Sequence, residues 1–86
     1  MKARPDYFDA HYNLGLALAS RGDFSGAVEH LQAAVRIHPE DADAEANLGS
    51  ALAEAGRVPE AKLHFQRALQ INPKQAPAKE NLQQLQ

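Results

Sequence analysis

The sequence has no cysteine and no tryptophan, and its aromatic residues are two tyrosines and three phenylalanines. Without cysteine the chain cannot form a disulfide, a thiolate metal site or a thiol nucleophile. No apolar run approaches the roughly 20 residues that span a bilayer, and the N-terminus lacks the apolar core of a signal peptide. We therefore expect a soluble, cytoplasmic chain that makes no contact with a membrane.

Neither positive nor negative charge is in large excess, with nine lysines and arginines against eleven aspartates and glutamates. The formal net charge is −2 and the isoelectric point is near 6.0, which gives no electrostatic footprint for nucleic acid, so we expect no nucleic-acid partner. At 86 residues the chain is one small domain or a piece of a larger protein. It is 44% hydrophobic, and many of these residues are alanines, which favour close contact between helices.

A repeat of 34 residues organises the chain. Comparing residues 8–41 with 42–75 gives 15 identities in 34 positions without a gap. Three further sets extend the same spacing over most of the chain: Pro5, Pro39 and Pro73; Asn13, Asn47 and Asn81; Leu14, Leu48 and Leu82. An exact period of this length is typical of a stacked repeat protein.

Each unit predicts two helices. In residues 9–20, the side chains Ala10, Leu14, Ala17 and Leu18 share one stripe, which predicts a buried helical face. We expect Gly22 and Gly56 to end the first helices in the left-handed conformation. The other predicted boundaries are caps at Asp6, Asp23 and Asp41, a first-turn proline at Pro59, and terminating prolines at Pro39 and Pro73.

These residues resemble the tetratricopeptide repeat, a 34-residue helix–turn–helix. The first unit offers Leu14-Gly15, Leu18, Gly22, Ala27, Leu31, Ala34 and Pro39, and the second offers Leu48-Gly49, Leu52, Gly56, Ala61, Phe65, Ala68 and Pro73. The resemblance implies an all-α solenoid of two hairpins plus a capping helix, stacked as a right-handed superhelix. We expect a first repeat at residues 8–41, a second at 42–75 and the capping helix at 76–86.

Small residues should allow the paired helices to approach closely, Gly15 with Ala27 and Gly49 with Ala61. The family pattern usually has an aromatic residue where this chain has His11 and Glu45, so we expect weaker packing there. The capping helix is rich in glutamine and lysine, which suits a terminal helix with one solvated face.

The first seven residues have a different interpretation. Pro5 occupies the closing-proline position of a preceding repeat, so residues 1–7 are expected to be the remnant of that repeat or a linker at the tail of a longer array. The first hairpin would then expose apolar surface around Tyr7, Tyr12 and Leu16. Such an exposed end also allows self-association into a homo-oligomer.

The resemblance also implies a concave groove lined by the first helices, which binds an extended peptide or a helix of a partner protein. At the groove positions we expect twelve side chains to contact the partner: Asp9, Tyr12, Asn13, Leu16, Ser20, Asp43, Asn47, Ser50, Glu54, Glu80, Asn81 and Gln84. The alternative is a purely structural segment of a longer array whose ligand site lies elsewhere.

The three equivalent asparagines suggest a ladder along this groove. A carboxamide both donates and accepts, so it can bind the backbone of an extended peptide without reading its side chains. This resembles the asparagine ladder of the O-linked N-acetylglucosamine transferase. The alternative, which stays open here, is that Asn13, Asn47 and Asn81 serve helix packing or solubility.

The charge of the groove predicts the partner. The clamp that related repeats use for acidic C-terminal tails is matched only at Asn47, and the twelve groove residues include no lysine or arginine. With Asp9, Asp43, Glu54 and Glu80 present, we expect a neutral or basic partner segment. Asp9 and Asp43 are equally well explained as favourable charges near helix N-termini.

Neither a metal site nor catalysis is expected. His30 and His64 recur at one repeat position, but repeat spacing explains this, and no convergent ligand motif accompanies them. No nucleophile–base arrangement or phosphate-binding loop is indicated. The sequence therefore predicts a protein-binding module without cofactor, metal or enzymatic activity.

Overall fold

The computed structural model describes residues 7–85, and all five elements in that part of the chain are α helices. The all-α prediction is therefore confirmed. The proposed cap Asp6 and the proposed closing proline Pro5 lie outside the described residues. The helices are α1 (Tyr7–Ser20), α2 (Phe24–Ile37), α3 (Ala42–Glu54), α4 (Val58–Ile71) and α5 (Ala76–Leu85).

The helices form two hairpins and a final single helix. Helix α1 packs against α2 and α3 packs against α4, while α2–α3 and α4–α5 contacts join one unit to the next. The first helices also touch directly, because α3 contacts both α1 and α5. The result is an elongated stack of 43 × 27 × 16 Å, in which α1, α3 and α5 lie side by side.

The helix ends follow the local sequence signals. Gly22 and Gly56 have φ angles of +86° and +87°, so the predicted left-handed conformation is confirmed at both turns. The Asp23 carboxylate accepts from the Gly26 N–H at 2.9 Å, and that of Asp41 accepts from the Ala44 N–H at 3.0 Å. Both predicted caps are therefore confirmed.

In each hairpin, the two paired helices approach each other closely at a glycine. A Cβ atom added to Gly15 would lie 2.6 Å from Leu31 Cγ, and one added to Gly49 would lie 2.8 Å from Phe65 Cε1. Leu31 and Phe65 occupy the same repeat position, and both are fully buried. The glycines are therefore needed for the close approach of the paired helices, as predicted.

The core is concentrated around the middle of the stack. Its largest fully buried side chains are Phe65, Leu31, Leu48 and Leu52. Two of these belong to α3, which contacts all four other helices. The first helix of the second unit is consequently the most enclosed part of the fold, and the side chains around it hold the two units together.

The prediction of a buried stripe on α1 is wrong. Ala10 and Ala17 are exposed, Leu14 retains 44% of its accessible surface, and Leu18 is only half-buried. The equivalent α3 residues Ala44, Leu48, Ala51 and Leu52 are all buried. The difference arises because α2 packs on this side of α3, whereas no helix within residues 7–85 occupies that side of α1.

The apolar surface of the first hairpin also differs from the expectation. Tyr7 is exposed as predicted, at 70% of its accessible surface. Tyr12 and Leu16 are half-buried and pack against the core. The exposed apolar stripe of α1 consists instead of Tyr7, Ala10, Leu14 and Ala17.

Candidate functional site

The twelve predicted groove residues lie on the three first helices, and the structure brings seven of them together in two places. One lies between α1 and α3, and the other lies between α3 and α5. We call them the tyrosine cluster (Tyr12, Asp43 and Asn47) and the acidic cleft (Ser50, Ala53, Glu54, Phe65, Asn81, Gln84 and Leu85).

The tyrosine cluster is held by hydrogen bonds from the Asn47 amide. Its Nδ2 atom donates to Tyr12 Oη at 3.0 Å and to the backbone oxygen of Asp43 at 2.9 Å. The Tyr12 ring stacks on Phe8, with 5.4 Å between the ring centroids. Both amide hydrogens of Asn47 are thus used within the protein, and its amide oxygen is the group that can meet a ligand.

The environment of Tyr12 changes its acidity. Burial raises the pKa of the Tyr12 phenol above its ordinary value of 10.0, and the nearby Asp43 carboxylate raises it further. The hydrogen bond from Asn47 acts in the opposite direction, because a donor stabilises the phenolate, and Asp41 adds a smaller upward effect. The phenol is therefore a neutral hydroxyl at physiological pH.

Gln75 connects the tyrosine cluster to the last helix. Its Nε2 atom donates to the Asp43 carboxylate, and its Oε1 atom accepts from the Ala78 N–H at 3.2 Å. Gln75 therefore caps α5 and engages Asp43 at the same time. The sequence prediction missed this residue, although it lies 34 positions after the capping residue Asp41, and that spacing is the signal that could have found it.

The acidic cleft has a volume of about 270 Å³. Asn81 Nδ2 donates to Ser50 Oγ at 3.4 Å, which joins α5 to α3 beside the cleft. Ala53 and Leu85 add apolar surface, and the buried Phe65 ring lies behind them. Four of the predicted partner-binding residues, Ser50, Glu54, Asn81 and Gln84, line this one space.

The remaining candidates are less closely connected. Asp9 and Asn13 are exposed on α1, and Glu80 is exposed on α5. Leu16 is half-buried against the core, and the Ser20 hydroxyl donates to the Ala17 backbone oxygen in its own helix at 2.9 Å.

A family comparison decides what these hairpins are. The family model described as tetratricopeptide repeat matches residues 18–85, from the last turn of α1 through α5. The chain belongs to the tetratricopeptide repeat family. A comparison with curated proteins gave no match.

Membership of this family indicates the general role of the chain. Tetratricopeptide repeats are protein–protein interaction modules and are typically not catalytic. Within the described residues, no helix has the length and apolar character needed to cross a bilayer.

Polar pairs inside the two repeats were not foreseen. In the second repeat, His64 Nδ1 lies 2.6 Å from Glu45 Oε1, and Glu45 is 2% exposed. In the first repeat the same two positions hold His11 and His30, whose Nδ1 atoms are 3.1 Å apart. The weak packing expected at His11 and Glu45 is thus replaced by hydrogen-bonded contacts between the paired helices. The sequence signal that could have indicated these pairs is two polar residues 19 positions apart in both repeats.

These pairs explain the recurring histidines without a ligand. His30 and His64 each contact a side chain of the first helix in their own repeat. Across residues 7–85, no group of three or more histidine, aspartate or glutamate side chains is placed to hold a metal ion.

Proposed function

We propose that this chain is a peptide-binding module that holds an extended segment or a helix of a partner protein along α1, α3 and α5. The observation that supports the proposal is the acidic cleft, because four predicted contact residues from two helices surround one space open to a ligand. The tyrosine cluster continues the polar surface on the other side of α3.

The chemistry of this surface favours a neutral or basic segment. Asp9, Glu54 and Glu80 are exposed carboxylates on the three first helices. The side chains of Asn81 and Gln84 can accept hydrogen bonds from a peptide backbone or side chain. Acidic partners would be repelled by these carboxylates, which affects specificity and association rate more than affinity.

The hydrogen bonds of the three asparagines change what the ladder hypothesis predicts. Asn13 is exposed, whereas Asn47 uses both amide hydrogens internally and Asn81 donates to Ser50. A peptide backbone would therefore be recognised by the amide of Asn13 and by the oxygens of Asn47 and Asn81. These three positions are not equivalent in hydrogen bonding, although they are equivalent in the repeat.

Selection from a random 12-residue peptide library, followed by NMR shift mapping on the intact chain, tests this proposal. We expect shifts at Asn13, Ser50, Asn81 and Gln84. Asn13→Ala and Asn81→Ala should each weaken binding about threefold to tenfold, as expected for the loss of one hydrogen bond. Gln66→Ala, on the exposed side of α4, is the matched control. Shifts confined to α2 and α4 would contradict the proposal.

A second candidate function is supported by the exposed apolar stripe of α1. Its members Ala10, Leu14 and Ala17 occupy the positions that are buried beneath α2 in the second repeat. A further helix, from another repeat or another copy of the chain, could cover this stripe in the same way. Sedimentation equilibrium up to millimolar concentration tests self-association, with Leu14→Lys as the disrupting variant. A monomer throughout that range would contradict self-association.

A further inference from the structure

The acidic cleft lies beside the C-terminal end of α3 and the last described turns of α5. Ala53 and Glu54 belong to the last turn of α3 and Ser50 to the turn before it, while Asn81, Gln84 and Leu85 belong to the last described turns of α5. The carbonyl end of a helix carries partial negative charge, equivalent to about half an elementary charge. The cleft therefore receives the negative end of the α3 dipole.

The one charged side chain among the described residues that line the cleft is acidic. Glu54 is the charged side chain among its seven lining residues. Neither α3 nor α5 has a basic residue in its last turn, where lysine or arginine would normally offset the dipole. The electrostatic potential in this space consequently favours a cation.

The position of Glu54 is unfavourable for the helix that carries it. A carboxylate in the last turn of a helix lies at the negative end of the dipole, which lowers helix stability. The equivalent residue of the first repeat is Ser20, whose hydroxyl donates to a backbone oxygen of its own helix. Helix stability therefore does not account for Glu54, and its exposed carboxylate is available to a ligand.

The walls of the cleft suit a long aliphatic chain that ends in a cation. Ala53 and Leu85 supply apolar surface, while Ser50, Glu54 and the two amides supply oxygen acceptors. Lysine and arginine side chains combine these two characters, because their methylene stems pack on apolar surface while the charged group reaches a polar environment. A purely apolar side chain would leave Glu54 without a partner, and an acidic one would be repelled.

We propose that the acidic cleft is a specificity pocket for one lysine or arginine side chain of the bound segment. The charged group pairs with the Glu54 carboxylate, and its remaining hydrogens reach the amide oxygens of Asn81 and Gln84. The aliphatic stem lies against Ala53 and Leu85. This inference rests on the proposed function, and it names the side chain that the partner must supply.

Capped tripeptides with a central lysine, arginine, norleucine or glutamate test the pocket on the full chain by NMR titration. We expect saturable shifts at Ser50, Glu54, Asn81 and Gln84 with the lysine and arginine peptides. Norleucine has the same stem as lysine without the charge, and its peptide should bind about fivefold more weakly, as for loss of a partly exposed charge pair. The glutamate peptide should produce no saturable shift at these residues.

The variant Glu54→Gln tests whether the Glu54 carboxylate pairs with the bound cation. This variant should bind the lysine and arginine peptides about fivefold more weakly and should bind the norleucine peptide with unchanged affinity. The control is Glu29→Gln, the same charge change at an exposed position on α2, which should change neither. Circular dichroism checks folding, and Glu54→Gln should not lower helicity, because it removes a carboxylate from a helix C-terminus.

Equal affinity for the norleucine and lysine peptides would overturn the pocket, and so would unchanged affinity for the lysine peptide on Glu54→Gln. Raising the salt concentration should weaken the lysine peptide selectively, and insensitivity to salt would also count against the proposal. If library peptides bind along α1, α3 and α5 without any basic residue, only this inference fails. If no peptide binds that surface, the proposed function fails as well.

Discussion

At the scale of single residues, the Glu45–His64 pair is a polar contact inside an otherwise apolar repeat. Glu45 is almost fully buried, and its carboxylate lies 2.6 Å from the imidazole. Buried polar groups of this kind are costly when their partner is lost, because the remaining group keeps its desolvation penalty without a hydrogen bond.

Replacing Glu45 tests this contact. Glu45→Ala should lower the free energy of unfolding by about 1–3 kcal/mol, because it leaves His64 without its partner. Glu45→His should cost less, because the first repeat already holds two histidines at these positions. Urea unfolding followed by circular dichroism measures both variants. A negligible loss in Glu45→Ala would show that the hydrogen bond contributes little.

The Tyr12 phenol makes stability depend on alkaline pH. Its pKa in the folded chain is raised, chiefly by burial and by Asp43. The folded state therefore holds this proton more tightly than the unfolded state does. The associated stability is complete below the ordinary pKa of 10.0 and is lost as the pH rises through the higher folded pKa.

Substitution of Asn47 should change this titration. The hydrogen bond from Asn47 lowers the pKa of Tyr12, so Asn47→Ala should raise that pKa further. NMR titration of the Tyr12 Cζ carbon measures the shift directly. Asn13→Ala removes the equivalent amide on α1 and should have a smaller effect. A lower pKa in Asn47→Ala would contradict the assigned role of this hydrogen bond.

At the scale of helices, the pairing of α3 with α4 depends on the absence of a side chain at Gly49. An added Cβ would lie 2.8 Å from the Phe65 ring. Gly49→Ala should lower the free energy of unfolding by about 1–3 kcal/mol through overpacking, despite the roughly 1 kcal/mol that alanine gains over glycine in helix propensity. Thermal or urea unfolding gives the sign of the change in unfolding free energy, with Gln66→Ala at an exposed position of α4 as the control.

The last helix depends on Gln75. This side chain caps α5 and also donates to Asp43 on α3. Gln75→Ala should cost about 1 kcal/mol, as for loss of an N-cap, and should speed hydrogen exchange in α5 more than in α3. Gln70→Ala, an exposed glutamine on α4, is the control. Unchanged exchange in α5 would show that the cap is dispensable.

At the scale of the whole molecule, one leucine position has two environments. Leu14 and Leu48 are equivalent in the repeat, yet Leu14 is 44% exposed and Leu48 is fully buried. Leu48→Ala should cost about 2–5 kcal/mol because it opens a cavity in the core. Leu14→Ala should cost less than about 1 kcal/mol, as expected for a residue outside the core.

Urea unfolding at low micromolar concentration compares these two variants. The substitutions are chemically identical, so each serves as the control for the other. A loss at Leu14 as large as that at Leu48 would mean that the α1 stripe is covered in solution. Repeating the measurement at high concentration then distinguishes coverage by a second copy from coverage within one chain.

The sequence by itself determined the period, the helix boundaries and the close contacts within each repeat. These features depend on local chemistry: Gly22 and Gly56 adopt positive φ, Asp23 and Asp41 cap neighbouring amides, and Gly49 leaves room for a facing side chain. The resemblance to the tetratricopeptide repeat indicated which first-helix positions line the candidate binding surface.

Only the tertiary structure decided which equivalent residues have equivalent surroundings. Leu14 and Leu48 differ because α2 packs on α3 and has no described counterpart on α1. Asn47 is engaged by Tyr12, a partner 35 positions away, where repeat spacing cannot indicate a hydrogen bond. A repeated sequence specifies repeated local structure, but burial and polar contacts depend on neighbouring helices, and these differ between the middle and the ends of the stack.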